Sequence, residues 1–148
     1  MAHDARALAI RWFDENWNQR REAIVDELMA PDAVGHMEGV EVRGRDDFKA
    51  ARAALLGAFP DLKIVVEGVV ADGDNAIVRW NVAASHKGDH LGFPASHRRV
   101  SFRGLTWLTF RDGKIVEGWD AWNQGALIQE LRGATEGTTA GAISSGAT

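Results

Sequence analysis

The 148-residue chain contains no cysteine and no tyrosine, and only three prolines, Pro31, Pro60 and Pro94. Without cysteine there is no disulfide framework, no thiol nucleophile and no thiolate metal site. No segment approaches the roughly 20 apolar residues that a membrane-spanning helix needs. The start, Met1-Ala2-His3-Asp4-Ala5-Arg6, has neither the basic region nor the long apolar run of a secretory signal. The net charge is a mild −4 and the basic residues are scattered, so neither nucleic acid nor a membrane is an expected partner. These absences fit a cytoplasmic protein. What the chain does have is six Trp and six Phe. Large rings without hydroxyl groups point to a bulky apolar core or pocket.

The length suits one domain. Ala5 to Trp17 has helical spacing, with Leu8, Ala9, Trp12, Phe13 and Asn16 on one face. Glu22 to Met29 reads as a second short helix stopped by Pro31, and Ala33 to Met37 as a short strand. Asp46 or Asp47 caps a third helix that presents Phe48, Ala51, Leu55 and Phe59 inward and ends at Pro60. Beyond residue 60 the pattern becomes strands: Leu62 to Ala71, Ala76 to His86, Val100 to Phe110 and Lys114 to Asn123. Asp72-Gly73-Asp74 and Asp112-Gly113 supply turns, and Gly88 to Ser96 reads as a loop. Leu127 and Leu131 mark a short closing helix. The Gly, Thr, Ser and Ala of 133–148 are expected to form a disordered tail after a domain spanning 1–132.

Helices followed by an antiparallel meander give an α+β fold. With Asp112-Gly113 as a two-residue hairpin loop, uninterrupted pairing sets Phe110, Leu108, Thr106 and Phe102 on one face with Ile115, Glu117, Trp119 and Asn123. The other face then carries Leu105, Trp107, Val116 and Trp122, with Arg103, Thr109 and Asp120 among them. One face packs under the helices. The other is too apolar for water, so a homodimer is expected, the alternative being cover from the closing helix.

Several ordered pieces resemble a known family. They are Trp17-Asn18; Ala30-Pro31-Asp32-Ala33-Val34-Gly35-His36; Phe59-Pro60-Asp61-Leu62; Gly73-Asp74-Asn75-Ala76-Ile77-Val78-Arg79-Trp80; Ser85-His86-Lys87-Gly88; Gly113-Lys114-Ile115-Val116-Glu117-Gly118-Trp119; and Leu127-Ile128-Gln129-Glu130-Leu131. Together they are similar to the SnoaL-like polyketide cyclases (ester cyclases) of the nuclear transport factor 2-like superfamily. The resemblance implies a cone-shaped curved sheet wrapped around helices and enclosing one pocket. It implies a cofactor-free intramolecular aldol cyclisation, in which an acidic side chain takes the proton that generates the enolate. That acid is an Asp four residues after the Trp of the Glu-x-Trp element; the chain has Asn123 there. An amide cannot accept a proton at neutral pH.

Asn123 therefore reads as a hydrogen-bond donor to a developing oxyanion or as a holder of water, against an ordinary strand-end Asn. The search for a base moves to His36, with Glu38 as its orienting partner, to His86, and to Glu117 if burial raises its pKa. The plain alternatives are a strand histidine and a paired surface carboxylate. Asp120 falls on the opposite face, where Arg103 could pair with it. His86, His90 and His97 invite a metal reading, but the glycines between them argue for a loop, and no metal is assigned. Trp12, Phe13, Trp17, Phe102 and Trp119 are the expected substrate walls, and Arg79 a clamp if it faces inward. The expected ligand is a small hydrophobic carbonyl compound or polyketide. An epoxide hydrolase or hydratase on the same fold, and a non-catalytic small-ligand binder, are the rival readings.

Overall fold

The computed structural model describes residues 4–136. Asp4 caps α1 (Ala5–Phe13) by accepting from the Ala7 amide at 3.2 Å. The helix widens into a π-helical turn over Asp14–Asn18. At its end the Asn18 side chain pairs with the backbone of Ile64, donating to its carbonyl and accepting from its amide, both at 2.9 Å. One amide thus does the work of a strand neighbour and holds the turn, with Trp17, against the sheet.

α2 (Ala23–Leu28) leads directly into β1 (Met29–Met37), longer than the sequence pattern indicates, and Gly39 turns it into β2 (Val40–Arg43), which that pattern did not reveal. α3 (Gly44–Ala58) is amphipathic and packs on β1. At its start, Asp47 accepts from the Arg43 amide at 3.1 Å. The buried guanidinium of Arg52 reaches back to the wide turn, donating to Asn16 Oδ1 at 2.6 Å and to the Asn16 carbonyl at 3.2 Å. The buried Asn16 carbonyl in the π turn thereby finds a donor.

Four strands complete the sheet: β3 (Lys63–Asp72), β4 (Asn75–Ser85), β5 (Arg99–Arg111) and β6 (Lys114–Trp122). Asp112 and Gly113 both have positive φ, the type I′ geometry that matches strand twist. The strand order is β2-β1-β6-β5-β4-β3. All neighbours are antiparallel except β1 and β6, which run parallel, so the sheet is mixed rather than a pure meander. The helices fill its concave side with a core that includes Trp12, Phe13, Ile24, Phe59, Val78 and Leu108. α4 (Gln124–Glu136) is the last element among the described residues, with Leu127 and Leu131 buried. It runs past Gly133, where the sequence suggests that the tail begins; residues 137–148 lie outside the described residues.

The face assignment of β6 requires a correction. Phe110 pairs with Ile115, but Thr109 pairs with Glu117, which leaves Val116 without a partner. This one-residue bulge moves every later residue of β6 to the opposite face. Thr106 therefore meets Asp120 and Gly104 meets Trp122 on the concave side, while Trp107 meets Trp119 and Leu105 meets Ala121 on the convex side.

Candidate active site

The concave face and the helices line an open-mouthed cavity of about 290 Å³. Its walls are mostly apolar: Trp12, Phe13 and Trp17 from the first helix and its turn, Phe48 and Leu55 from α3, Leu91 from the loop after β4, and Trp80, Phe102 and Trp122 from the sheet. The rings form two clusters, one on the helices and one on the sheet. Trp12 and Phe48 lie 5.3 Å apart, Phe102 stacks on Trp122 at 4.8 Å, and Trp80 meets both of those edge-on at 6.2 Å. Gly104 makes room for this. A Cβ there would lie 2.7 Å from Trp80 Cζ2 and 2.6 Å from Trp122 Cβ.

Into this apolar space β6 projects Asp120. Its Oδ1 accepts from Thr106 Oγ1 at 2.6 Å, and Thr106 Oγ1 in turn accepts from Trp80 Nε1 at 2.9 Å. Burial pushes the Asp120 carboxyl from 3.8 up to about 6; the Thr106 hydrogen bond pulls against this, and the negative charge of Glu38 adds to it. Glu38 stands on the cavity wall and accepts from the Trp122 amide at 3.4 Å. A carboxyl so poised is charged at neutral pH yet holds a proton readily, the property needed to remove a proton and return it.

Asn123, expected to point into the cavity, is exposed and caps α4: its Oδ1 accepts from the Ala126 amide at 2.9 Å. Glu117 and Trp119 follow the bulge onto the convex face, and Trp119 is 51% exposed. His36 contributes to the cavity wall, but its register with Trp119 and Glu41 sets its ring on that outer side. There it contacts Glu41 at 3.0 Å through Nδ1 and Glu117 at 2.8 Å through Nε2. Glu41 and Glu117, not Glu38, are its orienting partners.

His86 is fully buried beneath the loop rather than on the cavity wall. Its Nδ1 accepts from the Ser96 amide at 3.0 Å, which leaves the hydrogen on Nε2, and burial lowers its pKa. It packs between Phe59 and Phe93. Arg79 points away from the cavity, towards Glu67 at 3.4 Å. Trp12, Phe13, Trp17 and Phe102 do line the cavity. Among the described residues no group of three or more His, Asp or Glu is placed to hold a metal ion.

The sequence pattern misassigned Asp120 and passed over Thr106 and the Trp80 nitrogen as polar groups. The inward position of Asp120, which joins the other two into one chain of hydrogen bonds, depends on the bulge, and Ile115-Val116 is equally apolar whichever residue faces inward, so alternation along β6 carries no mark of it.

Residues 7–131 match the family model of SnoaL-like polyketide cyclase. No curated protein matches the chain. Among solved structures, a candidate SnoaL-like polyketide cyclase from Jannaschia sp. CCS1 is similar at 28% identity and a TM-score of 0.80, with 86% of this chain and 90% of that one covered. AclR, a candidate hydroxylase from Streptomyces galilaeus, is 31% identical with a TM-score of 0.75, covering 86% and 95%. Wild-type IdmH, a candidate polyketide cyclase from Streptomyces antibioticus, is 25% identical with a TM-score of 0.74, covering 88% and 100%. The curved sheet, the apolar cavity and a family match over nearly all the described residues lead to one assignment: the chain belongs to the SnoaL-like polyketide cyclase family.

Proposed function

We propose that this protein is a cofactor-independent acid–base enzyme that closes a ring in a hydrophobic carbonyl substrate, with Asp120 as the proton carrier. The observation that carries this reading is a buried carboxyl with a raised pKa set in an aromatic cavity beside a hydroxyl donor. Asp120 as carboxylate takes a proton from a carbon flanked by carbonyl groups. The resulting enolate carbon bonds to a second carbonyl carbon of the same molecule. The new alkoxide then recovers the proton from Asp120, and no atom is lost. The aromatic walls hold a flat substrate and exclude water, which strengthens the electrostatics of each step.

The test uses an aryl β-keto ester in deuterated water. The protein should accelerate exchange at the acidic carbon, and Asp120→Asn should abolish that acceleration while the fold is kept. Full activity in the Asn variant would sink the proposal.

The likeness to AclR favours a second outcome for the same carbanion. Capture by dioxygen would give a hydroperoxide, and a product mass gain that depends on dioxygen separates this from ring closure. We further propose that a second copy of the chain covers the convex face, where Leu105, Trp107 and Trp119 stand about half exposed.

A further inference from the structure

We propose that Trp80 is a positioning residue for Asp120, acting through Thr106 to confine the transferable proton of the carboxyl to Oδ2. This rests on the reading of Asp120 as proton carrier and adds which oxygen works and what selects it. An indole nitrogen can only donate, so the 2.9 Å contact has Trp80 Nε1–H pointing at Thr106 Oγ1. Thr106 has one hydrogen of its own. Its side chain is buried, and Asp120 Oδ1 is the acceptor that lies within reach, at 2.6 Å.

The reverse arrangement has a protonated Oδ1 donating to Thr106. Both lone pairs of the hydroxyl would then be occupied by donors, and its hydrogen would be left buried without an acceptor. Oδ1 is therefore an acceptor in both charge states, and the proton is exchanged at Oδ2. The indole cannot swing away, because it lies closely over Gly104 and edge-on to Phe102 and Trp122. A direction fixed by packing at one end of the chain of hydrogen bonds becomes a choice of oxygen at the other.

The experiment follows the Asp120 carboxyl carbon and the Trp80 indole N–H by NMR titration of the full chain. In the wild type the indole signal should move with the Asp120 midpoint. Thr106→Val should uncouple the two and raise the midpoint by about one pH unit, since a donor to the charged form is lost. Thr106→Ser should restore both, and Trp80→Phe should raise the midpoint by less. If Trp80→Phe does not fold, the threonine pair and the wild-type indole signal decide alone.

An indole signal indifferent to the titration, a Ser variant that fails to rescue, or a midpoint that falls in Thr106→Val overturns the proposal. A fall would mean that Thr106 accepts from the protonated acid. Should Asp120→Asn keep its exchange activity while the titrations behave as stated, the relay stands and the proton-carrier reading falls.

Discussion

The imidazole of His36 lies flat on the indole of Trp119, with ring centroids 3.7 Å apart and 20° between planes, on the side of the sheet away from the cavity. The hydrogen bond to Glu117 raises the His36 pKa above 6.5, burial opposes it, and Glu41, itself held by Arg43, adds to the rise. A histidine with a raised folded-state value contributes stability that is complete below the unfolded value, near 6.5, and that is lost as pH climbs through the folded midpoint. An NMR titration should place that midpoint above 6.5, and Glu117→Gln should lower it. Trp119 fluorescence should brighten as the stacked imidazolium loses its proton. A wild-type midpoint at or below 6.5 contradicts this geometry.

Asp120 obeys the opposite sign. Its folded pKa of about 6 lies above the 3.8 of a free carboxyl, so its charge is a burden on the fold that grows as pH rises between these values. That gap corresponds to at most about 3 kcal/mol. Asp120→Asn should therefore stabilise the protein at pH 7.5 by about 1–3 kcal/mol and leave it unchanged below pH about 4. Denaturant unfolding at the two pH values checks this. Deuterium exchange should rise through pH about 6 as the carboxylate forms. Equal stability of the two proteins at pH 7.5 would show that the carboxyl is not under strain.

Sedimentation should find the wild-type protein as a dimer at micromolar concentration. Leu105→Glu combined with Trp107→Glu should give a folded monomer, because charges on a buried apolar contact cost more than the association returns. A monomeric wild type removes the need for the convex face to be covered.

One alanine inserted between Glu117 and Gly118 should be among the most damaging changes available, costing about 4 kcal/mol or more. With the bulge kept, the added residue takes the place opposite Leu108 and so turns Trp119 and Ala121 towards the cavity and Asp120 and Trp122 away from it. Deletion of Val116 removes only the unpaired residue, leaves Ile115 opposite Phe110 and Glu117 opposite Thr109, and should cost about 1–2 kcal/mol. Thermal unfolding of the two variants compares them. An insertion as mild as the deletion would mean that the register adjusts elsewhere.

Much of the architecture is written in local chemistry. Pro60 follows the end of α3, Asp112-Gly113 forces a hairpin, and the first helix carries its Trp and Phe on one stripe, so these elements lie close to where the sequence indicates. The cavity walls Trp12, Phe13, Trp17 and Phe102 were legible for the same reason: helical spacing and strand parity extend from each residue to its near neighbours. The polar centre was not, because it depends on one unpaired residue that is indistinguishable in type from the one before it. The parallel pairing of β1 with β6 was equally hidden, since it joins segments about eighty residues apart with no turn between them. Asn123 illustrates the limit. Its type suits a ligand contact and a helix cap equally, and only the position of α4 decides.

The unpaired Val116 works as a frameshift works in a gene. From that point on, alternate residues of the strand are read by two different audiences: 118, 120 and 122 by whatever enters the cavity, 117, 119 and 121 by whatever meets the outer surface. A single residue inserted after Glu117 exchanges the two messages for the rest of the strand. Relatives that share the fold but not the frame would keep the same letters and present a different chemistry.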